Sequence, residues 1–488
     1  MSDTPPDLAA LAERALGSGD EEQAERRLSD WLRSHPGDAT VLHWAAMLRR
    51  ALDRRDDAIA ALEQALRLVP GNPGLVHALA HVTLEAGRPA SRLFEQAVQL
   101  SPAKAEIRLG LASARFAEGD KERALSELDA MLAANHGWDE GHRQFAQLSA
   151  LMGRGEEALA TIERTLQHYP EADRLRVLGI NLLMEAERHA EALEATRQAI
   201  ALRGAHAAYR LPQAAALDEL GRSEEAKVIF EPMGAPADAG HAVWRARHWL
   251  RTGEPSRAAA EVEPWLAATG AEGVWPYAAL AWRLTGDPRA EWLDGQAGLH
   301  KVVDLDPEEI GLEPLRALLR RLHAGSGRFL DQSVRGGTQT EGALLARTEP
   351  EIARVREVLR REVASFMAQL PPSDAAHPML SQVRVQRPRF AGSWSVRLGE
   401  AGFHTAHHHP QGWISSALYV SVPEGLGEEE GCLDLGGAPG ELGLTIAPRR
   451  TVEPRPARLV LFPSWMWHGT RPFDAGERMT IAFDIARA

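Results

Sequence analysis

Two short stretches of the chain hold the residues whose types and spacing could do chemistry. One is Gly402-Phe403-His404-Thr405-Ala406-His407-His408-His409-Pro410. The other is Phe462-Pro463-Ser464-Trp465-Met466-Trp467-His468, followed ten residues on by Arg478 and twelve on by Thr480. In extended chain, residues i and i+2 lie on one side, so His407 and His409 can converge on one metal while His408 points away. Imidazole suits iron, zinc, copper and nickel, and a third ligand from a distant strand, His468, would close a facial site with open positions. The chain has a single cysteine, Cys432, which excludes an intrachain disulfide and any multi-cysteine zinc or iron–sulfur site.

These residues need a scaffold that brings distant segments together. Apolar texture predicts short strands over 393–398, 413–422, 459–462 and 479–485, separated by turns rich in Gly, Pro and Glu. Helical stretches are expected over 307–323 and 350–370, with a polar glycine loop over 331–340 between them. Strands that follow helices in one unit suggest an α+β domain: an antiparallel jelly-roll sandwich or barrel backed by helices. Alternation in the last strand puts Arg478 and Thr480 on one face and Met479, Ile481, Phe483 and Ile485 on the other. An arginine there carries an always-charged planar fork, with the Thr480 hydroxyl beside it. The bland alternative is a surface arginine beside a strand-filling threonine.

The segments Trp394-Ser395-Val396-Arg397-Leu398, His407-His408-His409-Pro410, Trp413-Ile414-Ser415-Ser416 and Phe462-Pro463-Ser464-Trp465 with His468 and Arg478 resemble the 2-oxoglutarate/iron(II) oxygenases of bacteria. The Gln332–Thr340 loop, with Gln339 near its end, is similar to that family's upstream segment. The resemblance implies a double-stranded β-helix (jelly-roll) core over residues 291–488 and a dioxygenase, a hydroxylase, using Fe(II), 2-oxoglutarate and O2. It also implies that His407, His409 and His468 hold iron while Arg478 and Thr480 hold the co-substrate. His404, His408, Trp394, Arg397, Ser416 and Gln339 are candidates for touching substrate or supporting the ligands. One departure stands out: the superfamily's usual set is His, a carboxylate two residues on and a distant His, and here His409 occupies the carboxylate's place. Either three imidazoles bind, or His407 and His468 suffice with water and His409 supports them. A further reading takes His404-Thr405-Ala406 as a site whose carboxylate is replaced by Ala, leaving room for a halide. Rival functions are a non-catalytic interaction scaffold with a metal-binding barrel and a cupin-like metalloenzyme that does not use 2-oxoglutarate; Arg478 discriminates against both.

Ahead of this domain runs a period. Gly19, Asp53, Gly87, Gly119, Gly153, Glu187, Gly221, Gly253 and Gly286 recur at intervals of 32 to 34 residues. An alanine follows most of them by five residues: Ala24, Ala58, Ala124, Ala158, Ala192, Ala226 and Ala258. After Gly87 it is Ala90, which predicts a two-residue deletion confined to the turn. Pro markers, as in Ser34-His35-Pro36-Gly37 and Val69-Pro70-Gly71, close the units. Each unit reads as helix, turn, helix, with Ala permitting close approach and Gly a left-handed turn. The pattern resembles the tetratricopeptide repeat family over residues 1–290, an α solenoid of about eight units. Such arrays dock peptide or protein segments on an extended surface. Trp244, Trp249, Trp265, Trp275, Trp282 and Trp292 cluster late in the array and read as core, domain seam or ligand anchor.

The 488 residues are 44% hydrophobic and 25% charged, without the ~18-residue apolar run that a membrane helix requires. Acidic residues near the start replace the basic and apolar pattern of an export signal, so the expected compartment is the cytoplasm. The net charge of −13 argues against nucleic acid. Residues 1–290 hold 43 acidic and 33 basic residues, a net −10, which either favours a basic peptide or simply keeps the array solvated. Glu428-Glu429-Glu430 reads as a solvated loop. The expectation is an oxygenase acting on a peptide or protein side chain that the repeats dock, since docking remote parts of a long substrate raises its effective concentration at the site.

Overall fold

The structure is a computed structural model that describes residues 6–325, 327, 330, 333–382, 384 and 387–487. Asp331 and Gln332 of the expected glycine loop lie outside the described residues.

From Pro6–Ala15 to Trp275–Thr285 the chain forms antiparallel helix pairs. The periodic markers sit at the turn inside each pair, and all nine have positive φ, between +57° and +92°. Seven are glycines, for which this conformation is sterically free. Asp53 and Glu187 adopt it at +60° and +57°, despite a cost of about 1–2 kcal/mol for a residue with a Cβ. The alanines that follow are buried between paired helices. The third unit differs from expectation. Its second helix, Ser91–Leu100, has 10 residues where Arg55–Leu68 and Lys121–Ala134 have 14, so the deletion shortens the helix and not the turn. Pro89 disfavours helical backbone at Arg88, and the helix restarts only after Ala90, where Glu118 accepts from the backbone N–H groups of Ala90 and Ser91 at 2.8 Å.

A π-helical turn, Glu291–Gly295, leads into nine strands among the described residues: β1 (Lys301–Asp304), β2 (Val334–Gln339), β3 (Phe390–His404), β4 (Ile414–Ser421), β5 (Leu433–Leu435), β6 (Arg450–Val452), β7 (Arg458–Pro463), β8 (His468–Thr470) and β9 (Arg478–Ile485). A six-stranded sheet in the order β1-β7-β4-β9-β3-β2 faces a three-stranded sheet β6-β5-β8, with every pairing antiparallel. Residues 334–339, expected as loop, are an edge strand. Gly336 takes φ +67° at a bulge, and a Cβ on Gly337 would lie 2.5 Å from the Arg397 carbonyl oxygen.

The outer face of the large sheet carries Leu418, Val420, Met479, Ile481, Phe483 and Ile485. It packs on helices Leu312–His323 and Pro350–Gln369. Its inner face, with Tyr419, Val460 and Phe462, closes on Leu433, Leu435 and Val452 of the small sheet. That inner core is not private to the domain: Trp249, Val262, Trp275 and Trp282 of the array complete it. The Trp467 indole donates to the Pro276 carbonyl at 3.1 Å. Of the late tryptophans, Trp249, Trp275 and Trp282 therefore form the seam between array and barrel.

The rest of the array grips the domain along one edge, turn after turn. Arg389 donates to the Gly17 carbonyl at 3.2 Å and Arg387 to that of Leu52 at 2.8 Å. Arg360 pairs with Asp53 at 2.7 Å and Arg335 with Glu187 at 2.5 Å. Lys121 donates to the Gly325 carbonyl at 2.7 Å, and Arg251 and Arg283 to those of Glu441 and Ala447 at 3.1 and 2.6 Å. The turn edge of the repeats is thus occupied by the chain's own C-terminal domain, leaving the inner helix faces and outer surfaces for other contacts.

Candidate metal centre

The site is assembled by backbone pairing. His407 and His468 form a reciprocal bridge, each N–H donating to the other's carbonyl at 2.9 Å. The His409 N–H donates to the Ser464 carbonyl at 2.8 Å, so His407 and His409 face inward together. The metal-binding atoms of His407, His409 and His468 all lie within 4.8 Å of one another.

Each ring is oriented through its other nitrogen. His407 Nδ1 is 2.8 Å from the Thr405 carbonyl oxygen and His468 Nδ1 is 2.9 Å from that of Met466. With protons on those Nδ1 atoms, both Nε2 lone pairs face the cavity. His409 Nδ1 lies 2.9 Å from Asp484 Oδ1, and Ser415 donates to that carboxylate at 2.5 Å. Burial and the neighbouring imidazoles hold His407 and His468 well below the usual imidazole range. Neutral imidazoles are the form a metal takes.

The cavity beside the three histidines is lined by Trp394, Val396, Ser416, Phe462, Arg478 and Thr480, among others. Arg478 is 2% exposed. Its Nη2 donates to the Tyr419 hydroxyl at 3.2 Å, its guanidinium lies 4.9 Å from that ring's centroid, and its Nε has no hydrogen-bond partner among the described residues. Among the described residues no carboxylate pairs with it, and a buried cation with an unused donor is a receptor for an anion. The donor set fits the implied group: three convergent nitrogens for iron, and a buried guanidinium with Thr480 on the same strand face for the far carboxylate of 2-oxoglutarate.

The remaining candidates scatter. Trp394 lines the cavity edge-on to His409, ring centroids 5.4 Å apart. Ser416 lines it too, but its hydroxyl clips β4 to β9, donating to the Phe483 carbonyl and accepting from the Phe483 N–H, both at 2.9 Å. His404 is half-buried, its Nδ1 3.2 Å from Ser333 Oγ, and desolvation with nearby Arg478 pushes it down to about 3. It lines the wall and is not one of the three clustered ligands, which counts against the halide reading of His404-Thr405-Ala406. Two expectations are corrected. Arg397 points out of the cavity, pairing with Glu477 at 2.7 Å, because strand alternation turns it opposite to Val396. His408 sits in the seam between barrel and array, edge-on to Trp467 and Tyr277 at 4.7 and 6.1 Å, held down to about 3 by burial. Gln339 stands opposite Val396 on edge strand β2, outside the cavity lining. Asp484 and Ser415 were not singled out from sequence, although the alternation that joins Arg478 to Thr480 continues through Ala482 to Asp484.

A second cavity of about 260 Å³ adjoins the first, sharing His404, His468, Gly469 and Thr470. Gly437, Ala438, Ile446 and Pro448 of the 436–449 loop form its far side.

Residues 392–484 match the family model described as "Putative 2OG-Fe(II) oxygenase", and residues 90–148 match one described as "Tetratricopeptide repeat". The sequence finds no match among curated proteins. Among solved structures, a tetratricopeptide repeat protein from Parabacteroides merdae is 18% identical, with 50% of this chain and 98% of that one covered and a TM-score of 0.31. YrrB, described as a TPR protein with an unusual peptide-binding site, is 21% identical over 34% of this chain and 87% of its own, TM-score 0.29. A Pseudomonas putida prolyl-4-hydroxylase is 17% identical over 39% of this chain and 93% of its own, TM-score 0.28. The chain carries tetratricopeptide repeats and, at its C-terminal end, a domain matching the 2OG-Fe(II) oxygenase family.

Proposed function

We propose that the chain is an Fe(II)- and 2-oxoglutarate-dependent dioxygenase that hydroxylates a side chain of a peptide or protein held by the repeat array. The observation that carries this reading is the combination of three inward imidazoles with a buried arginine whose Nε has no hydrogen-bond partner among the described residues. His407, His409 and His468 would hold iron through Nε2, with Arg478 and Thr480 gripping the far carboxylate of 2-oxoglutarate. Iron with 2-oxoglutarate and O2 supplies oxidation of an unactivated C–H bond, coupled to decarboxylation of the co-substrate to succinate.

The protein's own part is orientation and exclusion of water. Backbone carbonyls of Thr405 and Met466 fix two rings, and Asp484 with Ser415 fixes the third. Trp394, Val396, Leu433 and Phe462 give the cavity apolar walls, in which a charge-assisted bond to Arg478 is stronger than in water. The adjoining cavity offers space for one side chain beside His468. Its far loop is held by the array through Arg251 and Arg283. Between inner helix faces and the domain lies a cleft of about 820 Å³ lined by Ser113, Phe116, Gln144, Gln147, Glu341 and Arg347, which supports docking of a longer segment.

The test is succinate formation from 2-oxoglutarate without added substrate. Iron-dependent turnover lost in His407→Ala and His468→Ala supports an oxygenase; metal binding without any succinate favours the scaffold reading or a metalloenzyme that does not use 2-oxoglutarate.

A further inference from the structure

The three histidines are not equivalent. His407 and His468 direct Nδ1 at neutral backbone carbonyls, whereas His409 directs Nδ1 at a carboxylate, Asp484, at 2.9 Å. The arrangement is built in. Ser415 lies directly across from Asp484 in the β4–β9 register, and its hydroxyl is 2.5 Å from Asp484 Oδ1 and 3.2 Å from His409 Nδ1. Gly412 makes the close approach possible, since a Cβ there would lie 2.6 Å from Ser464 Oγ and 3.2 Å from the Asp484 Cβ. Carboxylate, hydroxyl and imidazole are all largely buried.

We propose that Asp484, acting through His409, gives the three-histidine centre the negative charge that a carboxylate ligand would otherwise bring, and so sets its affinity for a divalent metal. The inference rests on the metal-centre reading above. A carboxylate that accepts the Nδ1–H of a ligating imidazole increases electron density at Nε2 and fixes the ring, and loss of such a partner typically weakens metal binding by about 10- to 100-fold. A carbonyl acceptor gives the same orientation with only a dipole. Asp484 is thus a positioning residue: it does not reach the metal, but it makes one neutral ligand behave more like the anionic ligand missing two residues after His407.

The alternative is a purely structural clip that ties β9 to the 409–415 segment. Asp484→Asn separates the two, because it keeps an acceptor oxygen and the shape while removing the charge. The probe is Co(II), titrated anaerobically into the full-length metal-free protein and followed by its visible bands. The expected result is a dissociation constant raised about 10- to 100-fold in Asp484→Asn, with shifted bands and a nearly unchanged melting temperature of the metal-free form. In a His409→Ala background the same substitution should change the constant less than about twofold, since the route through the imidazole is gone. A second readout needs no variant: in ¹⁵N-histidine spectra of the metal-free wild type, the His409 Nδ1–H proton should lie downfield of those of His407 and His468. Asp484→Asn that binds Co(II) within about twofold of wild type, or a His409 Nδ1–H indistinguishable from the other two, overturns the proposal while leaving the oxygenase reading intact. A wild type that takes up no Co(II) overturns both.

Discussion

Asp53 and Arg360 are ion-paired at 2.7 Å, joining a turn near the start of the array to the middle of helix Pro350–Gln369. Asp53 also pairs with Arg55 at 2.7 Å, and it holds a left-handed φ that elsewhere in the array belongs to glycine in all but one turn. The other exception, Glu187, pairs with Arg335 of the same domain. In both non-glycine turns, backbone strain is offset by a contact that glycine cannot make.

The two pairs differ in burial, which sets opposite expectations for their glycine variants. The side chains of Asp53 and Arg360 are 15% and 8% exposed, against 58% for Glu187. Restoring glycine relieves about 1 kcal/mol of backbone strain, while an exposed pair contributes only about 0.2–1 kcal/mol. Glu187→Gly should therefore be close to neutral in urea unfolding. Asp53→Gly, which strips a carboxylate from two largely buried guanidinium groups, should destabilise by about 1–2 kcal/mol. Its double-mutant cycle with Arg360→Gln should show coupling of at least about 1 kcal/mol. An Asp53→Gly variant more stable than wild type would contradict the clamp.

The shared core makes the C-terminal domain dependent on the array. Without the repeats, Tyr419, Leu433, Trp465 and Trp467 would lose the cover of Trp249, Tyr277 and Trp282, exposing a contiguous apolar patch. Residues 291–488 expressed alone should be aggregated or lack cooperative unfolding by calorimetry. In the full chain, Trp467→Ala should cost about 3–5 kcal/mol. A soluble fragment with a sharp melting transition would show that the array is an accessory.

Acid sensitivity should reside partly in His323. Its Nδ1 is 2.9 Å from Thr338 Oγ1 and its Nε2 3.0 Å from Ser395 Oγ, and burial pushes it down to about 4. In the unfolded chain it takes a proton near pH 6.5, in the folded one only near 4, so the unfolded state binds more protons between those values. Stability is full above 6.5 and falls as pH drops toward 4. Between pH 7 and 5 the wild type should lose on the order of 2 kcal/mol more than His323→Gln. Parallel urea curves for the two proteins at both pH values would contradict this.

Much of the architecture was legible because it is local. Gly19 through Gly286 mark a turn chemistry that repeats, and the alternation of Met479, Ile481, Phe483 and Ile485 assigns the faces of β9 before any pairing is known. Features that depend on non-local pairing or burial leave little trace in the sequence. β2 contains Gly336 and Gly337 and looks like a loop until β3 pairs with it. β5, β6 and β8 have three residues each, too few for a periodic signal. The i+2 spacing turns His408 away from His407 and His409, as found, but its place against Tyr277 depends on how the array folds back. Arg397 shares a motif with Trp394, whereas alternation sends it outward to Glu477. Asp484 follows from the same alternation, four residues beyond Thr480 on one strand face.

Arg478 separates the oxygenase reading from its rivals. Arg478→Ala should leave Co(II) affinity within about threefold of wild type, because the guanidinium belongs to the anion end of the cavity, and should weaken 2-oxoglutarate binding by about 100-fold or more. Arg478→Lys keeps the charge but loses the planar fork, and should fall between the two. Calorimetric titration of the metal-loaded variants with 2-oxoglutarate reads both. Equal affinity in all three proteins would remove Arg478 from the site.

The most direct measurement is an anaerobic titration of the iron(II)-loaded full-length protein with 2-oxoglutarate, following the weak visible charge-transfer absorption of the chelated co-substrate. The wild type should develop the band with saturation, and Arg478→Ala should require far more 2-oxoglutarate to reach it. No band with the wild type, or a band undiminished in Arg478→Ala, would contradict the assignment.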